Sequence, residues 1–240
     1  MRELLLAGTR KVYEVVMAAE MDPAPILDDI LELAAEERVP VRETSRTKLS
    51  ALALTEAPQG VVAVASPLRE AALEDLARLG PDGRPPFLLG VDGVTDPGNL
   101  GAIFRSAEGA GVTGVVLPRH RAVHITPTVT KAAAGAVEHL PIALVSGLPT
   151  GITQLKEHGV WSVGLDADGT ESIFELALAT EPLLLVLGAE GRGLSRLVRQ
   201  RCDVLASIPQ QGRLASLNVS AAAAIATFEV LRQRRGASAG

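Results

Sequence analysis

From Phe87 onward the chain repeats one pattern, a short and wholly apolar run followed by a helical stretch. Strand candidates FLLGVD (87–92), GVVLP (114–118), PIALVS (141–146), VWSVGL (160–165), PLLLVLG (182–188) and VLASIP (204–209) alternate with helical stretches near 98–110, 126–139, 150–158, 171–179, 193–202 and 216–235. Strands without polar alternation have no face for water, so both faces must be covered. The intervening helices supply that cover, and the pattern predicts an α/β fold built on a mostly parallel sheet. Ligands of such sheets bind beyond the carboxyl ends of the strands. The segments after Val94, Gly188 and Pro209 are therefore where chemistry is expected.

Upstream the rhythm differs. VYEVVMA (12–18) and GVVAVAS (60–66) read as strands around an amphipathic helix over 23–39, with RELLLAG opening the chain as a helix. Residues 67–85 hold a short charged helix candidate and the Gly/Pro cluster LGPDGRPP, the strongest boundary signal in the chain. This predicts a small α/β unit over 1–66, a linker over 67–85, a large unit over 86–235 and a tail over 236–240.

Several function classes are disfavoured by what the chain lacks. A single cysteine, Cys202, excludes an internal disulfide and a cysteine-rich zinc site. The four histidines show no ligand spacing, so no metal is expected. No run approaches the roughly 18 apolar residues that cross a bilayer, and the first residues turn to charge too early for a signal peptide. A cytoplasmic protein is expected. Aromatic residues make up only 2%, which leaves few platforms for stacking RNA bases. The net charge of −5 also counts against nucleic acid.

Charge placement matters more than its sum. Acidic side chains crowd the first third. Arginines gather later, at Arg192, Arg196, Arg199, Arg201 and Arg213, then at Arg232, Arg234 and Arg235. They form either one basic face for phosphates or a set of solvated helix surfaces. His120 and His124, with Arg119 and Arg121, lie in a segment that either touches RNA or is simply exposed.

Three segments stand out. In DGVTDPGNLGAIFRSAEGAGV (92–112) a strand ends and a helix opens near Asn99, whose amide suits a cap, with Arg105 about two turns further on. In LGAEGRGLS (187–195) a buried strand runs into a turn with Gly188, Gly191 and Gly193 around Glu190. In IPQQGRLASLNVSAAAAIATFEVLR (208–232) Ser216, Asn218 and Ser220 precede a long alanine-rich helix. Taken singly these are ordinary caps, tight turns and surface arginines. A dinucleotide-binding reading fails because GxGxxG is missing at the first strand–helix junction.

Taken in order, NLGAIFRSAEGAG, LVLGAEGRGLS and IPQQGRLASLNVSAAAAIATFE resemble the three signature motifs of the SpoU/TrmH branch of the SPOUT methyltransferases. TPTVTKAAAGAVEHLPI and APQGVVAVASPL are similar to its RlmB-like subgroup, the 23S ribosomal RNA guanosine-2′-O methyltransferases, although that subgroup usually has histidine at Pro58. Its members also begin with a strand before the first helix, whereas this chain opens inside that helix. The resemblance implies an S-adenosylmethionine-dependent RNA ribose 2′-O-methyltransferase. It also implies a small RNA-binding domain lacking its first strand, a C-terminal trefoil knot, and a homodimer whose site is completed across the interface. Carried over, Leu187, Gly188, Gly193, Ile208, Leu217 and Asn218 would meet the cofactor. Arg105 would be central, as a phosphate and alkoxide clamp or as the base itself. Asn99 and Asn218 would order the site, Glu190 would position Arg105 or the ribose, and Ser216 would donate a hydrogen bond. Transfer-RNA and antibiotic-resistance methyltransferases share these motifs. A knotted RNA- or ribosome-binding protein without catalysis is the competing reading of another class, and the presence of all five polar residues speaks against it.

Overall fold

A computed structural model describes residues 1–55, 58–80, 82–119, 125–213 and 216–237. Two sheets organise it. In the smaller, β1 (Val12–Ala18) lies parallel to β2 (Val41–Thr44) and antiparallel to β3 (Val61–Ala65). Helices α1 (Arg2–Ala7) and α2 (Pro25–Glu36) bury Leu5, Ile30 and Ala34 with Val15 and Met17 on one face. On the other, α3 (Arg46–Leu52) sets Leu49 against Val16 and Ala18. The sequence does not announce β2 or α3: VRET is short, polar and mostly exposed, as an edge strand is.

The larger sheet has seven strands in the order β6-β5-β4-β9-β7-β10-β8, and every pairing is parallel. Its strands are β4 (Phe87–Val91), β5 (Gly114–Pro118), β6 (Ile142–Val145), β7 (Trp161–Leu165), β8 (Glu171–Ser172), β9 (Leu183–Leu187) and β10 (Val204–Ser207). Neighbouring residues such as Leu88 and Leu89, or Leu184 and Leu185, feed opposite cores. One core receives α5 (Pro97–Gly109), α6 (Pro127–Ala132) and α9 (Val219–Ala237). The other receives α4 (Leu73–Leu76), α7 (Leu148–Glu157) and α8 (Arg196–Arg201). Both faces are thus covered, as the apolar runs require.

Two expected helices take other forms. The stretch 171–179 is not α-helical: Glu171 and Ser172 pair with β10 as β8, and two 3₁₀ turns follow (Ile173–Glu175 and Ala177–Thr180). Its buried residues Ile173, Leu176 and Ala179 recur every third position, the period of a 3₁₀ rather than an α-helix. The stretch 126–139 divides where Ala134 and Gly135 both adopt positive φ, so α6 stops early and a 3₁₀ turn, Ala136–Glu138, follows.

The segment 67–85 does more than connect. Ala71 N–H donates to the carbonyl of Ile142 at 2.8 Å, and Leu73 and Leu76 enter the core beside Leu88 and Val116. The smaller sheet is tied to the larger through Arg10 Nη1 to Glu138 Oε1 at 2.8 Å and through Glu3 with His139 at 2.9 Å. The far end of α9 is pinned by Arg234, which donates to the carbonyls of Ala179, Pro85, Pro86 and Glu181. Burial lowers its pKa to about 10, still far above neutral, so these bonds keep their charge assistance.

Candidate active site

At the carboxyl ends of β4, β9 and β10 three loops meet, one from each of the three segments singled out above. The first turns through Gly93, at φ 76°. The helix α5 then starts at Pro97, whose fixed φ suits a first helical position. The cap is Asp96 rather than Asn99: Asp96 Oδ1 accepts the Asn99 backbone N–H at 2.7 Å. This difference from the sequence expectation matters, because it leaves the Asn99 side chain available. Its amide nitrogen donates to Glu190 Oε2 at 3.2 Å, and its oxygen accepts from Asn218 Nδ2 at 3.1 Å. Asn218 Oδ1 in turn accepts from the Ser220 hydroxyl at 2.6 Å and from the backbone N–H groups of Ser220 and Ala221 at the start of α9.

This chain has one direction. Glu190 as a carboxylate only accepts, so Asn99 must donate to it, and Asn218 must donate to Asn99. The N-terminal amides of α9 then complete the sequence at Asn218 Oδ1. Three side chains 91 and 119 residues apart are thereby set in defined orientations around one point.

The second loop is a tight hairpin. Ala189 N–H donates to Gly193 O at 3.0 Å and Gly193 N–H returns to Ala189 O at 2.8 Å. Gly188 lies beneath the facing arm: a Cβ there would strike the Gly193 carbonyl carbon and Leu194 nitrogen and come within 2.5 Å of Gly193 O. Gly193 itself sits at φ 65°. Leu187 is buried in the core, so only its backbone can face a ligand, and its carbonyl already accepts from Asp92 N–H.

From the third segment, Ile208 packs partly buried at the end of β10, and Ser216 and Leu217 are exposed just before Asn218. Leu214 and Ala215 lie outside the described residues. Arg105 projects exposed from α5 and forms no ion pair among the described residues; Glu190 bonds Asn99 instead of it. Gly101, one turn before, has no room for a side chain because Ala132 of α6 packs against it.

The arginines sort into two groups. Arg199 pairs with Asp166 at 3.0 Å, Arg232 pairs with Glu229, and Arg234 is held by carbonyls. Arg192, Arg196 and Arg213, beside the site loops, have no ion pair among the described residues. Arg119 is matched by Glu70 at 2.7 Å, while His120, Arg121 and His124 lie outside the described residues. Among the described residues no metal-binding group of His, Cys, Asp or Glu occurs. A cleft of about 1290 Å³ lies between the two sheets, away from these loops, with Arg10, Glu138, Met21 and Leu117 among its walls.

Two further residues belong to the site, Asp96 and Asp92, neither of which the motifs mark. Asp92 Oδ2 accepts the Ser195 backbone N–H at 2.7 Å, bridging the first loop to the second. A carboxylate at the end of an apolar strand, just before a glycine turn, is the signal that could have marked it.

Known proteins carry the same architecture. The model of the SpoU rRNA Methylase family matches residues 86–228, and that of RNA 2′-O ribose methyltransferase substrate binding matches residues 2–71. The 23S rRNA (guanosine-2′-O-)-methyltransferase RlmB of Pseudomonas putida is 40% identical over 236 residues, spanning 97% of this chain and 94% of its own. Among solved structures, the SpoU methyltransferase AviRb from Streptomyces viridochromogenes in complex with the cofactor AdoMet superposes with a TM-score of 0.80 at 26% identity, covering 97% of this chain and 87% of its own. The AdoMet-bound rRNA methyltransferase from Sinorhizobium meliloti does so with a TM-score of 0.77 at 27% identity, covering 97% and 85%. With both parts of the chain matched and the resemblance running end to end, this protein belongs to the SpoU rRNA methylase family.

Proposed function

We propose that this chain methylates the ribose 2′-hydroxyl of a guanosine in 23S ribosomal RNA, with S-adenosylmethionine as methyl donor. The observation that carries the reading is the convergence of Asn99, Glu190 and Asn218 in one hydrogen-bonded cluster, in a chain 40% identical throughout to an RlmB. The loops fit the donor. Gly188 lets the two arms of the hairpin close on each other, Gly193 turns the exposed arm without a side chain, and Ile208 and Leu217 offer apolar contact for a flat base. These residues, with Asn218 and the backbone of Leu187, would hold it.

S-adenosylmethionine, when bound, supplies an electrophilic sulfonium methyl. The protein's part is to present the ribose oxygen in line, where positioning outweighs acid–base effects in size. Asn99, Asn218 and Glu190 fix one another before substrate arrives, so little reorganisation is needed. Arg105, a guanidinium without an ion pair among the described residues, grips a phosphate and stabilises negative charge developing on the oxygen. Ser216 offers a hydroxyl at the lip. Arg192, Arg196 and Arg213 extend the positive rim along which an RNA backbone binds.

In this reading residues 1–66 form the RNA-binding domain, 67–85 connect it, and 86–235 form the catalytic domain, followed by a short tail; the family match over 2–71 supports the first assignment. The insertion of β9 between β4 and β7, with α9 returning onto α5, supports a knotted C-terminal path. An RNA substrate of this kind places the enzyme in the cytoplasm. Among the described residues no helix is long and apolar enough to cross a membrane.

The enzyme works as a homodimer. The alanine-rich helix divides its residues: Ala223, Ala226 and Val230 enter the core, while Ala221, Ile225 and Phe228 form an exposed stripe at helical spacing. Phe228 is 48% exposed, and the stripe begins beside Asn218, so a partner seated there would adjoin the site. Sedimentation should show a dimer, and Phe228→Glu should yield monomers with little transfer. A stable, fully active monomer would remove the shared site.

The reading is tested by transfer of labelled methyl from S-adenosylmethionine to ribosomal and transfer RNA, followed by nucleoside analysis. The expected product is 2′-O-methylguanosine in 23S RNA. Label in transfer RNA would overturn the substrate and keep the chemistry; label in neither would point to a binding protein.

A further inference from the structure

We infer that Asp92 is a positioning residue for the cofactor: its carboxylate sets the hairpin 188–195 in the shape that receives S-adenosylmethionine. The inference rests on the cofactor reading above and adds a residue that the motif comparison does not assign. Asp92 closes β4, next to β9 in the sheet, and its backbone N–H donates to the carbonyl of Leu187 at 2.8 Å. Its side chain then reaches across to the N–H of Ser195 at 2.7 Å. One residue thus holds both ends of the hairpin, the strand that enters it and the backbone that leaves it.

The contacts on either side explain why this bond decides the shape. Gly93 lies against Ala189, where a Cβ would sit 3.6 Å from the alanine methyl. Leu194 is buried in the core shared with α7 and α8, so the outgoing arm is anchored just before Ser195. The tip, Glu190 to Gly193, is tied to Asn99 through Glu190 and closed on itself by the Ala189–Gly193 bonds, but neither contact fixes the arm that leaves it. Without the Asp92 bond, the Ser195 N–H loses its acceptor and the hairpin loses the tie that sets its outgoing arm against the end of β4. The collar of Gly188 and Gly193 that receives the cofactor would then open. A charged acceptor gives this bond about twice the strength of a neutral one.

Both partners can be removed separately. Asp92→Ala deletes the acceptor. Ser195→Pro deletes the donor, and Ser195 already sits at φ −62°, which proline adopts without strain. Asp92→Asn keeps an acceptor oxygen. The full-length protein would be titrated with S-adenosylmethionine calorimetrically, with thermal unfolding and RNA affinity measured on the same samples. Each single variant should weaken cofactor binding about tenfold, and the double variant should be no weaker than either, since one bond is lost in all three. Asp92→Asn should recover most of the affinity. The RNA affinity should stay within about twofold, a split between the two ligands that general destabilisation would not produce. Wild-type affinity in Asp92→Ala, or losses that multiply in the double variant, would overturn the role. A wild-type protein that binds no S-adenosylmethionine would overturn the cofactor reading, and this inference with it.

Discussion

Replacing Arg105 by alanine is expected to lower methyl transfer by about a thousandfold while S-adenosylmethionine binding stays within about threefold of wild type. The asymmetry follows from where the side chain sits. Arg105 rises from α5 about two turns beyond Asn99, exposed and without an ion pair among the described residues. It is not part of the glycine hairpin or of the Asn218 cap, the elements argued to hold the cofactor. Among the described residues its side chain holds no hydrogen bond or ion pair, so its loss should leave thermal stability nearly unchanged. What disappears is a positive charge placed for a phosphate and for the oxygen that becomes the nucleophile. Lysine should restore only part of the rate, because it retains the charge but not the planar pair of donors. Single-turnover transfer measured alongside calorimetric cofactor binding separates the two effects. Near-normal turnover in the alanine variant would take Arg105 out of the mechanism.

Arg105 is legible in the sequence, and so is most of the sheet that carries its helix. Six of the seven strands of the large sheet were readable because burial on both faces leaves an apolar run with sharp ends; GVVLP corresponds residue for residue to β5. The failures fall where burial does not dominate. β2 is an exposed edge, and its four residues are held by pairing with β1, a long-range effect without local trace. The 171–179 stretch is apolar at nearly every position after Ser172, so its sequence suits an α-helix as well as a 3₁₀ turn; the burial of every third residue and the pairing with β10 belong to the fold. At the site, residue types were legible and geometry was not. Asn99 looked like a cap because it stands near a helix start, yet Asp96 performs that task three positions earlier. Only the fold shows that the freed amide then spans to Glu190 and Asn218. Leu187 belongs to the same lesson: it adjoins the hairpin in sequence, but strand alternation turns its side chain into the core.

The second large effect is expected at Gly188. Substitution by alanine adds one methyl group, and at most glycines of this chain such a change would meet space or a side chain able to rotate away. At Gly188 it would meet main chain: the Gly193 carbonyl and the Leu194 nitrogen on the opposite arm of the hairpin. To restore ordinary carbon–carbon contact the arm must retreat by about 1 Å or more. Two reciprocal backbone bonds between Ala189 and Gly193 oppose that retreat, as does Leu194, 7% exposed and packed into the core. Overpacking against backbone of this kind costs on the order of 2 kcal/mol, so the variant should fold, with a lowered melting temperature. The larger effect is local. With the arm displaced the collar loses its shape, and S-adenosylmethionine affinity should fall by about a hundredfold, the equivalent of about 2.7 kcal/mol. Gly191→Ala provides the contrast. Its φ of 74° also disfavours a side chain, but nothing lies within 4 Å of the added methyl. It should cost only the left-handed strain of about 1–2 kcal/mol, with a far smaller change in cofactor affinity. Calorimetric titration of both variants discriminates the cases. If Gly188→Ala binds as tightly as wild type, the hairpin does not cradle the cofactor; if both glycines matter equally, strain in the turn, and not the closeness of the two arms, governs the site.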